Sequence, residues 1–169
     1  TEPERYPNTR TSNAVAVRSL YYLPHRATVS GEYRFFTDTW GIDAHNLKAG
    51  YTHTLKGGWI LEGSYRYYTQ DAADFYSDLF PRDNSQNFLA RDKELSTFSS
   101  HTVGLRLSYD FIENGWRSLD KGTINVAWDH IMFDYDDFRD LRVTTVPAGE
   151  EPLYDFDADV VQLFVSFWF

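Results

Sequence analysis

Charged residues recur at alternate positions in this chain, and their spacing is its first chemical signal. Glu32 stands two residues before Arg34, Glu62 four before Arg66, and Arg106 four before Asp110. Side chains two or four apart on an extended backbone share one face. Lys48 and Asp129 fall on the same pattern in their own segments. Opposite charges so placed can fill a narrow space with guanidinium–carboxylate networks, or line a wider one and select ions. An unpaired charge there is costly unless hydrated. Arg34 and Arg66 are therefore each expected within salt-bridge distance of Glu32, Glu62 or another carboxylate.

Two weaker constellations follow. His101 and His130 lie on the apolar faces of neighbouring segments, opposite each other if the hairpin between them is symmetric about residues 115 and 116. With Ser99 nearby, an imidazole could act as general base. The plainer alternative is two imidazoles at the rim of an apolar region. Further on, Asp134, Asp136, Asp137 and Asp140 face Asp155, Asp157 and Asp159. Oxygen-only ligands of this kind suit Ca²⁺ or Mg²⁺. The spacing lacks the glycine and the final glutamate of an EF-hand loop, and a solvated acidic loop is the alternative. No other metal or cofactor is expected.

Much chemistry is excluded. No phosphate-binding glycine loop, dinucleotide fingerprint, H-E-x-x-H or G-x-S-x-G occurs. There is no cysteine, which removes disulfides, zinc–thiolate sites and thiol catalysis. A formal charge of −9 argues against nucleic acid as a partner.

The elements that must position these residues are strands. The pattern predicts seven: Ser12–Leu23, Ala27–Thr37, Ala44–Leu55, Trp59–Tyr68, Ser99–Phe111, Lys121–Phe133 and a terminal one over the last ten residues. In each, one face is apolar, such as Val103, Leu105 and Leu107, or Ile124, Val126 and Trp128. Short turns follow the first, third and fifth strands, at Pro24-His25, Lys56-Gly57-Gly58 and Asn114-Gly115. Longer connections follow the second, fourth and sixth. No apolar run approaches the ~18 residues of a membrane helix. Strands that hide apolar residues at every second position can still cross a bilayer, with short turns on one side and long loops on the other. The expected fold is all-β: an antiparallel transmembrane β-barrel, with about seven strands of a larger up-and-down barrel. A soluble β-sandwich is the alternative, but it has no reason to segregate loop lengths.

The terminal strand alternates Val161, Leu163, Val165, Phe167 and Phe169. It resembles the closing strand of bacterial outer-membrane barrels, whose terminal Phe and alternating residues are an assembly signal. A wider resemblance rests on Glu32-Tyr33-Arg34-Phe35-Phe36 with Trp40-Gly41-Ile42, on Gly63-Ser64-Tyr65-Arg66-Tyr67-Tyr68, on Ala90-Arg91-Asp92-Lys93-Glu94-Leu95-Ser96 and on Phe133-Asp134-Tyr135-Asp136-Asp137-Phe138. On these the chain resembles an uncharacterised family of Gram-negative outer-membrane β-barrel proteins. The resemblance implies that residues 1–169 are the C-terminal portion of a longer member, and it implies no activity. The expected surroundings are outer-membrane lipid and lipopolysaccharide, the barrel-assembly machinery, and missing N-terminal strands or other subunits.

The expected role is a pore, or the membrane scaffold of an envelope complex, and not an enzyme. The alternatives are a membrane-embedded hydrolase using outward-facing His101 and His130, and a barrel sheathing a redox or lipoprotein partner. Replacing both histidines with Ala is expected to leave any lipid hydrolysis or transport by the intact protein unchanged. Lipase activity that disappears in either variant would favour the hydrolase.

Overall fold

The computed structural model describes residues 3–82, 85–112, 115 and 119–169. Seven strands form one antiparallel sheet: β1 (Ser12–Leu23), β2 (Ala27–Asp38), β3 (Asp43–Thr54), β4 (Trp59–Gln70), β5 (Phe98–Ile112), β6 (Lys121–Arg139) and β7 (Leu153–Trp168). Their spatial order is their chain order, so each strand pairs only with its sequence neighbours. β1 and β7 are the edges of this open sheet and run in the same direction. A 3₁₀ turn at Lys93–Leu95 is the one helical element among the described residues.

The first four strands end within two residues of the sequence expectation. β6 and β7 run well beyond it, to Arg139 and from Leu153. Their extensions are held by aromatic pairs across the ladder. Phe133 stacks on Phe156 at 4.8 Å, and Tyr135 packs on Tyr154 at 5.5 Å. These contacts outweigh the like charges of Asp134 and Asp155, which are direct partners. The acidic segments expected as a loop are therefore largely strand.

Two tight turns show why the hairpins close where they do. Gly57 and Gly58 both have positive φ, 73° and 76°, between β3 and β4. Consecutive positive-φ residues make a turn whose twist matches that of the flanking strands. Between β1 and β2 the same geometry falls on His25 and Arg26, with φ of 68° and 62°. Asn114, expected in the turn after β5, lies outside the described residues. The long connections 71–97 and 140–152 sit at the opposite end of the sheet from these turns.

Register carries the alternation from strand to strand. One row reads Arg18, Glu32, Lys48, Arg66, Thr102, Ile131 and Ala158. The row beside it on the same face reads Leu20, Ser30, Gly50, Ser64, Gly104, Asp129 and Val160. The other face reads Leu23, Ala27, His53, Leu61, Leu107, Val126 and Leu163 in a corresponding row. All eight charged residues singled out in the sequence share the first face.

That polar face is hollow. A Cβ on Gly104 would lie 2.5 Å from the Asp129 carboxylate and 2.6 Å from Ser64 Oγ, and one on Gly50 would lie 2.5 Å from Ser30 Oγ. Side chains converge on the concave side of a bent sheet, and small residues in this row permit the bend. Among the described residues no second layer packs against the apolar face. The buried apolar cluster sits instead at the end with the long connections: Ile42, Ala73, Phe75, Ala90 and Leu95, packed by Phe36, Trp40 and Tyr76.

Gly104→Ala is expected to lower stability by about 1–3 kcal/mol, because the added methyl must displace Asp129 or Ser64. Urea unfolding followed by circular dichroism measures it; an unchanged midpoint would mean that the hollow is not crowded.

Candidate functional site

The connection 71–97 folds back as a cap over one end of the hollow. Gln70, at the tip of β4, anchors it. The Gln70 amide donates to the carbonyls of Glu94 at 2.9 Å and Ser96 at 3.0 Å. Ala73 N donates to Leu95 O, and Asp74 N to Trp40 O, each at 2.8 Å. Outside the strands Arg5 and Leu89 exchange backbone bonds at 2.8 and 2.9 Å, so the segment before β1 belongs to the cap.

The cap is also pinned to the extension of β6. Asp78, with its side chain 8% exposed, receives Arg91 at 2.8 Å and Arg139 at 3.1 Å. Arg91 also lies over the Phe138 ring at 4.4 Å. Asp137 accepts from Thr97 N at 2.9 Å, and Tyr76 donates to Asp137 O at 3.1 Å. Burial pushes the Asp137 carboxyl above its ordinary range, against the pull of the Thr97 bond. Burial likewise raises the Tyr76 phenol.

Beneath the cap, the polar face and the cap together enclose a pocket of about 310 Å³. β2 supplies Arg34 and Phe36, β3 Ala44 and Asn46, and β4 Arg66, Tyr68 and Gln70. Arg10 enters from the segment before β1, and Glu94 and Leu95 from the cap. Ile42, Ala44 and Leu95 are buried and make its apolar floor. A second pocket of about 190 Å³ lies farther down the same face, with Lys48, Glu62, Arg106 and Asp129 on its wall.

The expected charge pairing is corrected by register. Glu32 pairs with Arg18, Nε to Oε2 at 2.6 Å, and not with Arg34. Glu62 pairs with Arg106 at 3.4 Å, and Asp110 with Lys121 at 3.3 Å. Arg66 donates its Nε to Asn46 Oδ1 at 2.9 Å and meets no carboxylate. Arg34 stands between Ala16 and Asn46 and has no ion pair or hydrogen bond among the described residues. Alternation along a strand cannot reveal these partners, because they depend on strand offset. Arg10, Asn46, Tyr68 and Gln70 had no sequence signal of their own. Asp38 did: its Oδ1 receives the amides of Trp40 at 2.9 Å and Ile42 at 3.1 Å, a turn written into Asp-Thr-Trp-Gly-Ile. Its other oxygen receives Arg10 Nε at 2.7 Å.

The histidine pair is diagonal and not opposite. His130 faces Val103, and His101 faces Met132. The pairing is centred one residue later than the symmetric hairpin, and Phe111 is bulged out of the ladder. His101 Nδ1 and the Tyr65 hydroxyl share a hydrogen bond at 2.7 Å, and His130 meets Asp159 at 3.0 Å. No serine hydroxyl bonds either ring among the described residues. Asp134, Asp136 and Asp137 lie on β6, and Asp155, Asp157 and Asp159 on β7. Asp159 also receives Trp128 Nε1 at 2.9 Å. Among the described residues no three acidic or imidazole groups gather as a ligand set. In the terminal strand Val161, Leu163, Val165 and Phe167 share the apolar face, and Phe169 follows the end of β7.

Asp78→Ala is expected to cost about 1–3 kcal/mol, since it leaves two guanidinium groups without their shared carboxylate. The loss should localise to the cap. Limited proteolysis should cut within 71–97 before any strand is cut, and uniform sensitivity would mean that Asp78 does not pin the cap.

Residues 2–121 match a family described as protein of unknown function, DUF3570. No curated protein and no solved structure matches. The match runs from the cap's first segment through the edge of β6 and so takes in all three arginines of the pocket. The chain belongs to the DUF3570 family.

Proposed function

We propose that this chain forms part of the wall of a transmembrane β-barrel in a bacterial outer membrane, as a pore or as the membrane scaffold of an envelope complex. The observation that carries the proposal is the course of the apolar band across the outer face. Val17 is 66% exposed, Leu105 50% and Val161 70%, with nothing packed over them. An uninterrupted face of this kind calls for an apolar covering. The band does not follow the rows of the sheet. On β1 it begins at Val15, whose row meets β7 at Asp155. On β7 it begins only at Val161, below Asp155, Asp157 and Asp159. With about 3.3 Å per residue and about 4.8 Å between strands, that descent is a slope of about 35°. Strands of a barrel tilt by about 35–45° to its axis, and a band level with a bilayer crosses their rows at that angle.

Two features support the same reading. Tight turns lie at one end and the long connections with the cap at the other, as periplasmic turns and external loops do. Aromatic and imidazole rings border the band: Tyr33 bonds His45 at 2.7 Å and Tyr65 bonds His101 at 2.7 Å toward the cap, while Trp59 stacks on Tyr109 at 4.3 Å near the turns. Amphipathic rings of this type favour the headgroup level. The open edges at β1 and β7 need strand partners within lipid, where unpaired backbone groups are costly. β1 and β7 are parallel, so an odd number of further strands gives antiparallel seams on both sides. Lipopolysaccharide and the barrel-assembly machinery are the partners that such a wall requires.

Leu105→Arg, near the middle of the band, is expected to destabilise the inserted protein by about 2–4 kcal/mol. A direct check uses the intact protein in vesicles whose acyl chains are brominated. A variant retaining Trp128 alone should be quenched strongly, and one retaining Trp40 alone weakly. Equal quenching, or none, would remove the outer face from the bilayer.

A further inference from the structure

We propose that the hollow beneath the cap is a binding site for a small organic monocarboxylate, held by Arg34 and Arg66. The inference concerns the polar face and does not depend on what covers the apolar one. It starts from the hydrogen-bonding capacity left over in the pocket. The amide and carboxylate oxygens that the strands supply are occupied. Asp38 holds two backbone amides and Arg10. Asn46 Oδ1 holds Arg66, and Gln70 Oε1 holds Tyr68 at 2.8 Å. The donors are not. Arg34 keeps its whole guanidinium, and Arg66 keeps both terminal nitrogens. A strand wall whose free groups are these donors selects an occupant that brings oxygen acceptors and negative charge. Guanidinium groups present paired N–H bonds that match a carboxylate in geometry.

The rest of the pocket decides among anions. Its floor of Ile42, Ala44 and Leu95 is buried and apolar, and Phe36 and Tyr68 add ring surface. An inorganic oxyanion would satisfy the arginines and leave that floor uncovered. A carboxylate on an aliphatic or aromatic body satisfies both. Its volume of about 310 Å³ lies at the small end of ligand pockets. Glu94, exposed at the rim, is the one carboxylate among the described residues lining the site besides the occupant's own. It disfavours a second negative charge and limits the occupant to one carboxylate.

The test is calorimetric titration of the intact protein in detergent micelles with benzoate, inorganic phosphate and benzylamine. Benzoate should bind saturably, phosphate more weakly, and benzylamine not at all. Arg34→Gln combined with Arg66→Gln should weaken benzoate about tenfold or more, with the strand signal in circular dichroism unchanged. Glu94→Gln keeps both arginines and should tighten it about threefold, so the site remains testable if the double variant does not fold. No saturable benzoate binding, phosphate binding tighter than benzoate, competition by benzylamine, or benzoate affinity indifferent to these substitutions would each overturn the proposal. Micelle titration needs no bilayer span and tryptophan quenching needs no ligand, so the two proposals fail separately.

Discussion

A single-layer sheet has no interior of its own, and everything else in this molecule follows from that constraint. Backbone pairing holds the strands edge to edge, but neither face is covered by a second sheet or a helix layer. Each face must therefore suit its surroundings directly. Period-two alternation meets the requirement by giving one face to apolar side chains and the other to charges. Among the described residues, apolar side chains gather into a buried cluster at the cap, around Phe75, Ala90 and Leu95. The cap is thus the one part of the molecule organised like a soluble domain, and it sits where the polar face would otherwise open outward.

Alternation was legible in the sequence because it is local. Val103, Leu105 and Leu107 against Arg106 and Ser108 declare their faces without knowledge of any neighbour. Strand number and order followed, since short turns force adjacent pairing. What stayed hidden depends on offset between strands. Arg34 and Glu32 share a face, but sharing a face does not make them partners. Glu32 meets Arg18 because β1 happens to run opposite it at that height. The pocket was hidden for a second reason. Arg10, Asn46, Gln70 and Glu94 come from four segments, and only the folding back of residues 71–97 brings the last of them to the others. The lengths of β6 and β7 were masked by acidic residues that read as loop. Alternating rings, Phe133 and Tyr135 against Tyr154 and Phe156, were the overlooked strand signal.

Charge is distributed unevenly along the hollow. Toward the turns, cations and carboxylates meet across strands: Arg106 with Glu62, Lys121 with Asp110. Under the cap the balance tips, because Asp38 is matched by Arg10 while Arg34 stands opposite the neutral Asn46 and Arg66 bonds that same amide. A chain with a formal charge of −9 thus keeps a local excess of positive charge at one place. Low solvent exposure of the floor beneath it strengthens that local field.

The strict neighbour-to-neighbour order of the strands has a consequence for how the chain reaches this state. Each hairpin can add to the one before it, so the sheet can grow without closing any loop longer than one connection. Low sequence separation between partners favours rapid pairing. The cap is different. Its bonds join Arg5 to Leu89 and Asp78 to Arg139, contacts between residues far apart in the chain. The Asp78–Arg139 bond requires β6 to lie beside β5 and β5 beside β4. The topology thus permits the strands to pair as a zipper, with the cap as a latch at one end.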